Sequence, residues 1–207
     1  MDDKKPEAAA CVRPANGPNA GYFPNAVVVT HEGRRALFYD DLLRGKTAIV
    51  HFFSTRDAAA PRLAANLARV QPYLGARLGR DVFLYSLTTD PLHDTPAVLE
   101  AFAAGVEARP GWLFLTGEPA SMELLKARMF SGSGGHHHDS SAEDCSLGMI
   151  RYGNEAVGLW GSAPASSPPE TIAQRLSWVM TRPAAKGGFQ RRGPTPLRAG
   201  LSAGARK

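Results

Sequence analysis

Residues 47–96 carry the pattern that most restricts what this chain can fold into. TAIVHFF at 47–53 and VFLYSLT at 82–88 are short, apolar and partly β-branched runs. Runs of this kind without polar alternation suit strands covered on both faces. Between them Leu63, Leu67, Val70, Leu74 and Leu78 recur every three or four residues, the spacing of a helix with one apolar face. Pro61 suits the first turn of that helix, where its missing N–H costs nothing, so a helix is expected from there to about Leu78. The segment reads as strand, loop, helix, strand and the start of a second helix.

The flanking sequence extends the same architecture. Val27, Val28, Val29 and Thr30, then Arg35, Ala36, Leu37 and Phe38, flank a turn at 31–34 and predict a hairpin. Thr95 can cap a helix that starts at Pro96, with Val98, Leu99, Phe102 and Val106 on its buried face. A strand is expected at 112–115, a helix at 121–130, a hairpin pair at 148–152 and 156–160, and a closing helix at 169–180. Pro6, Pro14, Pro18 and Pro24 with Gly17 and Gly21 predict an extended lead-in over 1–24. The fold class expected is α/β: one domain over 25–181, a mixed sheet with helices on both faces and an N-terminal hairpin.

Several strings make a more specific match. Asp90-Pro91-Leu92-His93-Asp94-Thr95-Pro96 follows the second strand, and Pro110-Gly111-Trp112 with Phe114-Leu115-Thr116-Gly117 forms the next. Gly33 to Lys46 contains Phe38-Tyr39-Asp40-Asp41-Leu42, and Asn66 to Gln71 follows Pro61. Together these resemble the SCO/SenC family, thioredoxin-fold proteins that carry copper to cytochrome oxidase. The resemblance runs from about Tyr22 to Val179 and implies a thioredoxin-like fold. It also implies a CxxxCP loop after the first central strand and a late histidine as third copper ligand. This chain has Ser54-Thr55-Arg56-Asp57-Ala58-Ala59-Ala60-Pro61 in the loop. One register puts the expected cysteines at Arg56 and Ala60, the other at Asp57 and Pro61. The histidine position falls on Cys145, within Glu143-Asp144-Cys145-Ser146. Copper(I) prefers thiolate and imidazole, so no cofactor is expected at the family position.

Charge is unevenly distributed. The formal net charge is +5, and residues 182–207 hold seven basic and no acidic residues, leaving about −2 on the rest. That tail, rich in Gly, Pro, Ala and Arg, is expected to be disordered; a basic arm can meet an anionic partner or stay solvated. No sequence-specific nucleic-acid motif is present. No apolar run reaches the roughly 20 residues of a membrane span, and Met1 to Ala10 lack the apolar core of a signal peptide. Read alone, the chain is expected in the cytoplasm; the resemblance implies the periplasm or cell envelope, so the compartment stays open. The two cysteines, Cys11 and Cys145, are read as independent thiols, a disulfide remaining open in an oxidising compartment.

Other candidates for chemistry are few. At the helix after the degenerate loop, Asp57 can act as a cap, or Arg56 and free N–H groups can hold an anion or partner. His136, His137 and His138, beside Asp139 and ahead of Cys145, form an inventory for copper, nickel or zinc on a glycine-serine loop. That loop can bind metal adventitiously or be a relocated copper site. Cys145 is read as a structural residue or a redox thiol needing Cys11 as resolving partner. Asp90, His93 and Asp94 form an acid-base inventory, but an Asp-Pro turn with an Asp/Thr cap explains two of the three without catalysis, and His51 is explained by packing or hydrogen bonding within a strand. Hydrolase, metalloprotease, P-loop and dinucleotide signatures are missing. The expectation is therefore a non-enzymatic accessory protein that binds a protein partner. The alternatives are metal delivery through His136, His137, His138 and Cys145, and a thiol oxidoreductase through Cys145.

Overall fold

A computed structural model describes residues 17, 19–130 and 148–180. Its centre is the unit expected from residues 47–96. β3 (Thr47–Phe53) is buried along all seven residues and pairs in parallel with β4 (Val82–Thr88), from Thr47 opposite Val82 to Phe53 opposite Thr88. β5 (Trp112–Gly117) continues the parallel set beside β4. β1 (Val27–Thr30) and β2 (Arg35–Leu37) form the N-terminal hairpin, with β1 antiparallel to β5. On the other side β6 (Met149–Asn154) pairs antiparallel with β3, and β7 (Leu159–Pro164) with β6. The order β2-β1-β5-β4-β3-β6-β7 makes one mixed seven-stranded sheet.

Alternation along β3 divides the core in two. Ile49 and Phe53 point towards α1 (Ala60–Ala68), α2 (Gln71–Leu74), α3 (Pro96–Gly105) and α5 (Pro169–Val179). Ala48, Val50 and Phe52 point towards α4 (Pro119–Phe130) and a π-helical turn at Phe38–Leu43. Both faces are covered, as the apolar strands require. On α3, Leu99 and Ala103 are fully buried while Val98, Phe102 and Val106 are half-buried. Phe102 meets Phe53 and Phe114 with ring centroids 5.3 and 5.7 Å apart. His51 is buried in β3 and stacks on Phe53, as its packing role predicts.

Three expectations give way to local chemistry. The helix expected from Pro61 to Leu78 is broken into α1, α2 and a 3₁₀ turn at Gly75–Arg77. Pro72 has no N–H for the Ala68 carbonyl; the Gln71 side-chain amide donates to it instead, at 3.2 Å. The apolar stripe survives the break, because Leu63, Leu67, Val70 and Leu74 are all buried.

The second hairpin turns at Glu155–Val157, so its return strand starts at Leu159 rather than Ala156. Glu155 holds the turn: its carboxylate accepts from the Tyr39 hydroxyl at 2.5 Å, the Gly45 N–H at 2.7 Å and the Asn19 N–H at 3.3 Å. The end of the lead-in is also folded rather than extended. Residues 19–23 form a turn, and Phe23 packs edge-on against Trp160 with centroids 4.8 Å apart.

Candidate functional site

The β3–α1 and β4–α3 loops leave the same end of the two parallel strands, the end where open α/β sheets place their ligands. Asp94 ties them together. It is completely buried, and its carboxylate accepts from the Thr55 N–H at 3.2 Å and from the Thr55 and Thr88 hydroxyls. The Thr89 N–H donates to the Phe53 carbonyl at 2.8 Å, so backbone joins the loops as well. Within the second loop the Asp94 N–H donates to the Asp90 carbonyl at 2.8 Å, and the Asp90 N–H to the Thr88 hydroxyl at 2.9 Å. Thr95 then caps α3, its hydroxyl accepting from the Val98 N–H at 3.5 Å, and Pro96 takes the first helical position. Thr95 and Pro96 therefore fill the capping roles expected of them. The Asp94 carboxylate, expected to share in the cap, takes no part in it and is instead the buried anchor of both loops.

The positions where cysteines were expected now have defined surroundings. Arg56 is exposed and pairs with Asp90 across the loops, N to O 3.5 Å. Asp57 accepts from the Ala59 N–H at 2.9 Å through its side chain and from the Ala60 N–H at 3.0 Å through its carbonyl. It thus caps the turn before α1, while Ala59 occupies the N-cap position without a side-chain bond. Ala60 is buried in the core shared with Leu63, and Pro61 is exposed in the first turn. The loop therefore presents carboxylate, guanidinium and methyl groups. Pro91 follows Asp90 in the turn, and beyond it Leu92 stands 83% exposed with His93 beside it.

Among the described residues, no three His, Cys, Asp or Glu side chains gather as a metal would require. His136, His137, His138 and Cys145 lie outside the described residues, as do Cys11 and the basic tail. No helix among the described residues is long and apolar enough to cross a membrane. The anchoring by Thr55 and Thr88 was missed from sequence. Its signal is a carboxylate directly before a capping threonine, on a loop bordered by the hydroxyl-rich SLTTD string.

Several solved structures share this fold at 18–19% sequence identity. A SCO1/SenC family lipoprotein from Bacillus anthracis matches with a TM-score of 0.59 at 18% identity, covering 82% of this chain and 99% of its own. ScoI from Bradyrhizobium japonicum with copper bound matches at 0.56 and 18% identity, covering 74% and 96%. Yeast Sco1 with copper bound matches at 0.56 and 19% identity, covering 73% and 87%. No curated protein matches the sequence. The family model SCO1/SenC matches residues 27–146, which include both anchored loops and more than half the chain, and the protein belongs to that family.

Proposed function

We propose that this protein is a non-enzymatic accessory factor of SCO1/SenC type that takes no copper at the β3–α1 loop. It acts by binding a protein partner during maturation of a respiratory oxidase or another metalloenzyme. The observation that carries this reading is the state of the two loops. They are fastened by a buried carboxylate, present no thiolate or imidazole at positions 56, 57, 60 or 61, and hold Leu92 out from the surface. Soft copper(I) has no suitable donor at those four positions, and the lone His93 imidazole on the second loop does not supply the set of soft ligands it needs. A rigid loop with a protruding apolar side chain instead suits contact with another protein, because little conformational entropy remains to be lost.

A photoreactive residue in place of Leu92, in the intact protein expressed in its native host, tests the partner. One discrete cross-linked species containing an oxidase or other metalloenzyme subunit is expected, at wild-type levels of folded protein. No adduct, or a smear across abundant proteins, contradicts the reading. Membership in the family implies the cell envelope as the setting, and the same experiment reports the compartment of the adduct.

A further inference from the structure

Beside the second anchored loop is a cavity of about 370 Å³ with no role in the reading above. Its floor is the face of the sheet that α3 leaves uncovered at the N-terminal hairpin. Arg35 pairs with Val29 and Val29 with Thr116, so these residues form one row across β2, β1 and β5 and share a face. All three line the cavity, with Val27, Pro91 and Pro96 as further apolar walls. Thr116 is only 5% exposed, and its hydroxyl oxygen is buried with no hydrogen-bond partner. An unpaired buried hydroxyl is destabilising, which sets Thr116 apart from Thr55 and Thr88, both bonded to Asp94.

The electrostatics have one sign at the floor. Among the described residues Arg35 makes no ion pair, while the nearby acids are engaged: Asp94 by Thr55 and Thr88, Asp90 by Arg56. The first turns of α3, at Thr95 and Pro96, and of α4, at Glu118 and Ser121, both border the cavity. Pro96 and Pro119 bring no N–H to the first helical positions and Thr95 already caps the Val98 N–H, so what the two helix ends add to the cavity is the partial positive charge of their dipoles. Glu118 is the one acidic residue lining the space, and it is exposed at the rim. The volume is at the lower end of the range for small-molecule sites, roughly 300–1,000 Å³.

We infer that this cavity binds a carboxylate carried on a short aliphatic stem. The carboxylate meets Arg35 and the Thr116 hydroxyl in the positive field of the two helix ends, and the stem lies against Val27, Val29, Pro91 and Pro96. Two sources supply that chemistry: a free short-chain acid and the C-terminus of a peptide ending in a small aliphatic residue. The site is independent of the partner proposed for the loops.

Calorimetric or NMR titration of the full-length protein with butyrate and with N-acetyl-Gly-Val, each against its primary amide, tests the inference. Saturable binding of at least one acid, about tenfold tighter than its amide, is expected. Which acid binds tighter identifies the source. Arg35→Met, a change on an exposed edge strand, lowers affinity about tenfold. Thr116→Val lowers affinity similarly while raising the thermal midpoint of the ligand-free protein, since it removes an unpaired buried hydroxyl. No saturation by either acid, equal binding of acid and amide, or unchanged affinity in both variants overturns the inference.

Discussion

Asp94 illustrates how one side chain can set the geometry of two loops. Its carboxylate is buried without a cation, and three donors from Thr55 and Thr88 replace water around it. Removing the acceptor leaves the buried Thr88 hydroxyl and the half-buried Thr55 donors unpaired, at about 1–3 kcal/mol for each group that water cannot reach. Asp94→Ala is therefore expected to lower unfolding free energy by about 3 kcal/mol in urea titration. Arg56→Ala, which removes only the exposed pair with Asp90, changes it by less than about 1 kcal/mol. Equal effects of the two variants would show that the loops are not anchored through Asp94.

At the scale of elements, the glycines that close turns divide into two kinds. Gly75 ends α2 with φ 54° and ψ −136°, and a Cβ there would meet nothing within 4 Å. Gly111 has φ 99°, and its Cβ would come within 2.2 Å of the Gly79 backbone nitrogen just before β5. Gly75→Ala carries conformational strain alone, about 1–2 kcal/mol, while Gly111→Ala adds a backbone collision and is expected to cost at least twice as much. Denaturant midpoints of the two variants check the order; Gly75→Ala as the more damaging change contradicts it.

The same scale shows what the sequence made legible. Strands β3 and β4, the Thr95–Pro96 helix start and the N-terminal hairpin follow from apolar runs, a cap and a turn, signals contained within a few residues. The break at Pro72 was hidden because Leu63, Leu67, Val70 and Leu74 keep helical spacing across it, and periodicity does not register a proline's missing N–H. The turn at Glu155 was displaced because its cause lies far away, in Tyr39, Gly45 and Asn19. At the candidate site, the lack of cysteine in the loop was visible by alignment to the family pattern. The burial of Asp94 was not, since it depends on Thr55 and Thr88 arriving from two strands paired in parallel. The cavity at Thr116 was equally invisible, because Arg35, Val29 and Thr116 become a row only through strand register.

For the molecule as a whole, the half of the core under α4 and the π-helical turn contains groups that couple folding to pH. Burial pushes the Tyr85 phenol well above its ordinary value of 10.0. Tyr39 is raised too, first by burial and then by its hydrogen bond and proximity to the Glu155 carboxylate. A phenol whose pKa is raised in the folded state stabilises the fold fully below about pH 10; above it the unfolded chain ionises first and stability falls. Each group contributes a slope of about 1.4 kcal/mol per pH unit in that window. Lys46 acts in the opposite direction, because burial lowers its pKa against a smaller opposing effect of Asp41, so its unfavourable contribution is relieved as pH approaches 10.5. The two phenols outweigh one half-buried amine. Urea titrations at pH 9 and pH 11 are expected to show a marked loss of stability that is shallower in Tyr85→Phe; equal stability at both pH values contradicts this account of the core.

The central claim is that the SCO1/SenC scaffold persists here without copper at the β3–α1 loop. Its most direct test is copper retained per chain after anaerobic loading with copper(I) and dialysis against a competing chelator, on the full-length protein and on the variant with His136, His137, His138 and Cys145 all changed to alanine. The account predicts that neither retains stoichiometric copper. About one copper per chain in both proteins would place a working site in the loop and contradict the claim. Copper retained by the unmodified chain and lost in the variant would transfer the function to the histidine segment and replace partner binding with metal delivery.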